Sequence, residues 1–341
     1  MDRDNFTLKL WFVDFWHPST KEAIMNENPV YELLSKRWEI QLDSDQPDFI
    51  ICSCYGCEYL KWTQPRIYYT GENFRPPFQF IDYSFSFDWP ITERNYRLPY
   101  YRLNEYYEEI KKDRVIPPDY EERKFCSFLV SNPRAKERIQ MLDQLSTYKT
   151  VDSGGKVRNN IGRQIGSSLE DKLDWMKEYK FALVFENSSY PGYSTEKLIE
   201  ALLCGTIPIY WGNPRVSEDF NTEAFINVHD FPDFASVVEQ VQKVDQDPEL
   251  AKRYLTAPGL PGGKEADYLK ESAILDRFEK IFNTSVPVIP KWKKRLQVVH
   301  YPIKMSRRYL EITKDFFRKL PQRISQKVKR LLGSASGNSA S

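Results

Sequence analysis

The chain has 341 residues, 41% hydrophobic and 15% aromatic, enough for a sizeable core and, as a prior, two domains. Its formal charge of +1 hides an asymmetry: residues 291–330 hold 14 Lys/Arg against Glu311 and Asp315, and an acidic body with a basic arm excludes a nucleic-acid-binding domain by its overall balance. Five cysteines (Cys52, Cys54, Cys57, Cys126, Cys204), odd in number, exclude a disulfide framework, and the absence of any apolar run of about 18 residues excludes a membrane-spanning helix.

In chain order, residues 8–15 are β-rich and residues 21–34 have helical spacing. Short strands follow at 38–42, 49–52 and 66–70, the last entering a turn at Gly71, Glu72 and Asn73, and residues 78–87 are aromatic and strand-like. Residues 106–112 are helical and charged, and Pro117–Pro118 marks a linker. A second unit places strands at 125–131, 181–185, 207–210 and 225–228, with helices at 134–145, 196–204 and 234–244. Strand–helix alternation with short connections predicts parallel sheets with helices on their faces. After Pro287 the pattern changes to basic, partly amphipathic helices, ending in a low-complexity run.

Residues 185–214, FENSSYPGYSTEKLIEALLCGTIPIYWGNP, carry the most chemistry. A strand ends at Phe185, a polar loop follows, and a helix begins near Thr195 with Leu198, Ile199, Leu202 and Leu203 as its inward stripe. Such a βαβ unit gathers polar groups at the carboxyl end of the sheet, where open α/β folds bind ligands. The helix N-terminus suits a diphosphate. A cation at that positive end is unfavourable unless an anion lies between, so Lys197 reads as a phosphate ligand rather than a solvated lysine. Glu196 reads either as an acceptor for ribose or sugar hydroxyls or as a first-turn surface acid.

This segment, together with Ser131-Asn132-Pro133, Arg138, the G-G-x-V-R-N run at 154–159, V-H-D-F at 228–231, Y-T-G-E-N at 69–73 and R-L-P-Y-Y at 97–101, closely resembles the bacterial α1,3/4-fucosyltransferases of glycosyltransferase family ten, Helicobacter type. The resemblance ends near Phe282. It implies a GT-B fold: an α/β molecule of two Rossmann-like domains whose parallel sheets face a cleft, with acceptor domain 1–120, donor domain 125–283 and a basic tail 287–341. It further implies that Arg138 and Lys197 neutralise the diphosphate of GDP-fucose, that Glu196 binds fucose or ribose, and that Asn187 and Tyr193 lie around the nucleotide. The general base falls on Glu72. Arg158 is equally a ligand or a loop-fixing arginine. The implied reaction is inverting transfer of fucose to the 3- or 4-hydroxyl of GlcNAc in N-acetyllactosamine or lacto-N-biose type acceptors, giving Lewis-type structures.

The same chemistry follows from the residues themselves. Charge building on a departing diphosphate calls for fixed cations and a helix N-terminus. An acceptor hydroxyl needs a carboxylate in reach, and a single carboxylate opposite the leaving group predicts inversion. Glu72, at a tight turn after an apolar strand, fits that role. Asp43-Ser44-Asp45 reads as loop acids rather than a metal site, so no metal is required and a divalent ion is at most stimulatory. His17, His229 and His300 are isolated, and Trp11, Trp16 and Trp62 are candidates for an acceptor groove, with core packing expected for at least one. The tail interleaves bases with apolar residues such as Tyr309, Phe316, Phe317 and Leu320 and predicts association with an anionic membrane. The expected location is cytoplasmic, on the inner face of the membrane. Two rivals stay open: a transferase using another nucleotide sugar, and a non-catalytic membrane-bound glycan-binding protein.

Overall fold

The computed structural model describes residues 7–130, 136–166, 168–284 and 287–297. The first sheet has the order β2-β1-β3-β4-β5-β6 and is parallel throughout. Its strands are β1 (Leu8–Val13), β2 (Ile40–Leu42), β3 (Phe49–Cys52), β4 (Arg66–Tyr69), β5 (Tyr83–Ser86) and β6 (Asn95–Arg97). Strands β3 and β4 are buried at every position, as a parallel sheet covered on both faces requires.

The expected helix at 21–34 divides into α1 (Lys21–Glu27) and α2 (Pro29–Ser35). Asn28 ends one and starts the other: its side chain accepts from the Val30 and Tyr31 amides at 3.0 and 3.1 Å, and Pro29 occupies the first helical position. The aromatic run 78–87 contributes only Tyr83–Ser86 as a strand, and residues 106–112 contribute a single 3₁₀ turn, Glu109–Lys111.

The second sheet is also parallel, in the order β11-β10-β9-β7-β8. Its strands are β7 (Lys124–Phe128), β8 (Val151–Ser153), β9 (Tyr179–Phe185), β10 (Ile207–Trp211) and β11 (Ile226–Asn227). Helices α3 (Lys136–Leu145), α6 (Phe234–Gln246) and α7 (Pro248–Thr256) cover one face; α4 (Leu169–Met176) and α5 (Glu196–Leu203) cover the other.

The domain limits differ from expectation at both ends. Tyr101, Tyr107 and Ile110, expected in the first domain, are buried with Leu198 and Ile199 of α5 in the second. Helix α8 (Glu271–Phe282), expected in the donor domain, packs Ile274, Leu275, Phe278 and Ile281 onto the first sheet, with Phe278 stacked on Phe85 at 3.9 Å between ring centroids. An apolar stripe is indifferent to sequence distance, so only tertiary contact decides which sheet it covers. The expected basic tail also begins later than 287. Lys294 is fully buried and pairs with fully buried Asp82 at 2.6 Å, and Gln297 accepts from Arg66 of β4 at 2.6 Å. Residues 287–297 thus belong to the first domain. The remainder of the tail, 298–341, lies outside the described residues, as do His300 and Ser131-Asn132-Pro133.

Candidate active site

Strand β9 delivers Glu186 to the carboxyl edge of the second sheet, where it is completely buried. Its carboxylate accepts from the Thr195 amide at 2.7 Å and from the Thr195 hydroxyl, and it pairs with the Lys197 ammonium at 3.1 Å. Lys197 also donates to Thr195 Oγ1 at 2.7 Å and to Glu196 Oε1 at 3.3 Å. Burial opposes the charge on Lys197, but Glu186 and Glu196 outweigh it and hold the ammonium well above the ordinary lysine value. For Glu196 burial pushes upward, and Lys197 outweighs it and keeps the carboxyl below its usual value. Burial wins at Glu186, whose carboxyl is raised although Lys197 opposes.

This corrects one expectation. The anion at the start of α5 that makes Lys197 tolerable is Glu186, a residue of the chain itself. Arg138 on α3 is 2% exposed and donates to the Phe185 carbonyl at 2.7 Å and to Asn187 Oδ1 at 2.9 Å. Counting Arg138 and Lys197 against Glu186 and Glu196, the cradle is formally neutral rather than positive.

Two cavities meet here. One, about 250 Å³, lies between the second sheet, α4 and α5. The other, about 320 Å³, opens toward the first domain and is lined by Trp16, Tyr55, Glu72, Tyr100 and Tyr193. Asn187, Glu196 and Lys197 line both. Arg138 lines only the first.

Glu72 follows β4 on the opposite wall. Gly71 before it is required by close approach, since a Cβ there would lie 2.9 Å from the Tyr100 ring. The Glu72 carboxylate accepts from the Tyr55 hydroxyl at 3.1 Å and, across the cleft, from the Tyr193 hydroxyl at 3.4 Å. Burial, then the Glu72 charge, raises the Tyr55 phenol; burial and Glu186 raise that of Tyr193. Both phenols therefore stay protonated and donate. Tyr55 is itself held from below. Asp14, at φ 63°, accepts the Tyr55 amide on its carbonyl at 3.0 Å and the Glu58 and Tyr59 amides on its carboxylate at 2.9 and 3.0 Å. Trp16 is 43% exposed and meets Tyr55 and Tyr100 edge-on, each at 6.3 Å.

Other expected residues lie elsewhere. Arg158 is exposed, at φ 53°, and pairs with Asp143 at 3.3 Å; it lines neither cavity. Trp11 is in the first core, and Trp62 packs against it while donating to the Ser44 carbonyl at 2.9 Å. Asp43 accepts the Asp45 and Gln46 amides of its own turn. His229 approaches the Gly212 carbonyl, and burial lowers its pKa. Cys52, Cys54, Cys126 and Cys204 are free thiols. Glu186 and Tyr100 stand in the sequence only as members of the runs at 185–214 and 97–101, with no role of their own, and Tyr55 belongs to neither. For Glu186 a signal existed, an acid closing the apolar run Phe181 to Phe185; for Tyr55, in a Gly/Cys loop, there was none.

Two parallel Rossmann-like sheets whose carboxyl edges share a cleft, with a carboxylate on one wall and an Arg/Lys cradle on the other, define a glycosyltransferase of the GT-B type. Residues 10–104 match the model of the α-(1,3)-fucosyltransferase FucT N-terminal domain and residues 120–256 that of the glycosyltransferase family 10 (fucosyltransferase) C-terminal domain. The chain belongs to glycosyltransferase family 10, the fucosyltransferases. It is 32% identical over 275 residues to the α-(1,3)-fucosyltransferase FucT of Helicobacter pylori, covering 69% of this chain and 56% of that protein. Over 144 residues it is 33% identical to α-(1,3)-fucosyltransferase 4 of Bos taurus, covering 41% of this chain and 35% of that one. The chain thus spans about half the length, or less, of these relatives. A crystal structure of an α1,3-fucosyltransferase with GDP-fucose is 27% identical and superposes with a TM-score of 0.69, covering 84% of this chain and 94% of that one. A further crystal structure of an α1,3-fucosyltransferase gives 0.72 at the same identity.

Proposed function

We propose that this chain transfers fucose from GDP-fucose, with inversion, to the 3- or 4-hydroxyl of a GlcNAc residue in an N-acetyllactosamine or lacto-N-biose type glycan. The observation that carries this reading is the junction of two cavities at Asn187, Glu196 and Lys197, with Glu72 facing that junction from the other domain. The nucleotide takes the cavity beside Arg138 and the acceptor takes the cavity beside Trp16 and Glu72.

In the reaction the acceptor hydroxyl attacks the anomeric carbon of fucose as the bond to the diphosphate oxygen breaks. The acceptor proton passes to Glu72, and GDP leaves with the electron pair. Arg138 and Lys197 face the growing negative charge on the diphosphate; both are fixed before substrate arrives, which is the condition for useful electrostatic stabilisation. Glu196 accepts from a sugar or ribose hydroxyl. With the protein's own cations on the diphosphate, the reaction is proposed to need no resident metal, a divalent ion acting only as a stimulant. Residues 298–341 are proposed to associate with an anionic membrane from the cytoplasmic side, a reading supported by their basic and apolar composition.

Replacing Glu72→Gln keeps the size and one acceptor oxygen but removes the base. The expected loss in kcat is about 10²–10⁴-fold. GDP-fucose affinity, read by calorimetry, is expected to hold within about twofold. An equal loss of donor affinity would remove Glu72 from the base role, and turnover of a UDP-sugar in preference to GDP-fucose would favour the rival donor.

A further inference from the structure

A third cavity, about 370 Å³, lies beyond the Glu72 wall and is built from both domains: Phe78, Trp89 and Ile91 from the first, Tyr190 and Pro191 from the second, with Arg75 and Asp88 between them. We propose that it is a distal acceptor subsite, which binds the saccharide unit that adjoins the reacting disaccharide. This inference rests on the acceptor site proposed above.

Position is the first support. The chain runs directly from the base to this cavity through Asn73 and Phe74, and three residues span at most about 10 Å. That is the reach of a neighbouring sugar ring. Asn73 binds Ser188 across the cleft at 2.7 Å and receives Arg75 at 2.5 Å, so the wall between the two sites is fixed from both domains.

Surface chemistry is the second. A pyranose offers a C–H face and a hydroxyl rim, matched by aromatic surface with a few polar groups at its edge. Here Ile91 is 96% exposed and Tyr190 is 39% exposed at the mouth, an apolar surface that no element among the described residues covers. Arg75 and Asp88 are hydrogen-bonded to each other, so the cavity carries no uncompensated charge and suits a neutral ligand. The site is also rigid. Arg75 lies over the Phe87 and Tyr190 rings at 4.4 and 4.0 Å, and Arg97 and Arg215 lie over Trp89 at 4.1 and 3.8 Å. Gly192, at φ 85°, lets the loop pass Trp89, since a Cβ there would fall 2.4 Å from the indole.

The test compares N-acetyllactosamine with its tetrasaccharide dimer, which extends on either side of a reacting GlcNAc. With the full chain, kcat/KM is expected to be about tenfold higher for the tetrasaccharide, through KM. Ile91→Asp, at an exposed position, should abolish that advantage and leave the disaccharide kcat/KM unchanged. Equal kcat/KM for the two acceptors in the unaltered protein, or a tetrasaccharide advantage that survives Ile91→Asp, would overturn the subsite. No transfer to either acceptor would instead overturn the acceptor reading on which it stands.

Discussion

Glu186 and Lys197 form the pair on which the proposed donor site turns, and each exposes the other when removed. Lys197→Met leaves a fully buried carboxylate with its main counter-charge gone. Breaking a buried pair in this way costs about 3–5 kcal/mol. Chemical denaturation should show that loss, and adding Glu186→Gln should restore most of it by removing the stranded charge. The pH dependence has a definite sign. Burial already raises the Glu186 carboxyl, so the folded chain holds that proton when the unfolded chain has released it. Its contribution is full below the unfolded value of about 4.3 and declines as pH rises through the higher folded value, a decline that Lys197→Met should steepen. Glu186→Gln alone removes one negative charge 3.1 Å from the lysine. Calorimetry should then find GDP bound several-fold tighter, with the gain shrinking at high salt. Weaker binding would mean that Glu186 serves mainly to aim the ammonium.

The helices and strands show what was legible in the sequence and why the rest was not. The segment 185–214 reads correctly because its strand, loop and helix are contiguous, and a 3.6-residue stripe at Leu198, Ile199 and Leu202 has one natural partner. The expected donor-domain limit at 283 takes in α8 by sequence position alone, and nothing in Glu271–Phe282 says that Phe278 will meet Phe85. The break at Asn28–Pro29 was legible in principle: an Asn before a Pro is a start signal in mid-helix. Asn28→Ala tests how much that junction matters. It removes two amide caps and the contact with His17 Nε2 at 2.9 Å. A cost of about 1–2 kcal/mol is expected in urea unfolding. Of the residues singled out in the sequence, Glu72, Arg138, Asn187, Tyr193, Glu196 and Lys197 line the two cavities, whereas Arg158 does not and the charged Glu186 carried no assigned role. Tyr55 was not legible, because its place depends on Asp14, some forty residues earlier and in a left-handed conformation that composition does not announce.

Across the whole molecule, Arg97 of β6 reaches Asp219 of the other domain at 2.9 Å, with Tyr101 and Ser194 on the same carboxylate. Arg97 is 3% exposed and the Asp219 side chain 0%. Arg97→Ala should cost about 3–5 kcal/mol in unfolding. Because Ser194 adjoins the α5 start, it should also weaken the rise in Tm expected from GDP under the proposed function, which for the unaltered protein would correspond to about 2.7 kcal/mol at a hundredfold excess over Kd. The two passages of the chain between the domains, near 100–102 and near 269–271, lie side by side, Arg102 donating to the Leu269 carbonyl at 2.5 Å. A body hung on one cord can swivel freely, whereas one hung on two adjacent cords swings about the line that joins them. A hinge about that line would be door-like, and it would part Glu72 from Lys197 along a single arc.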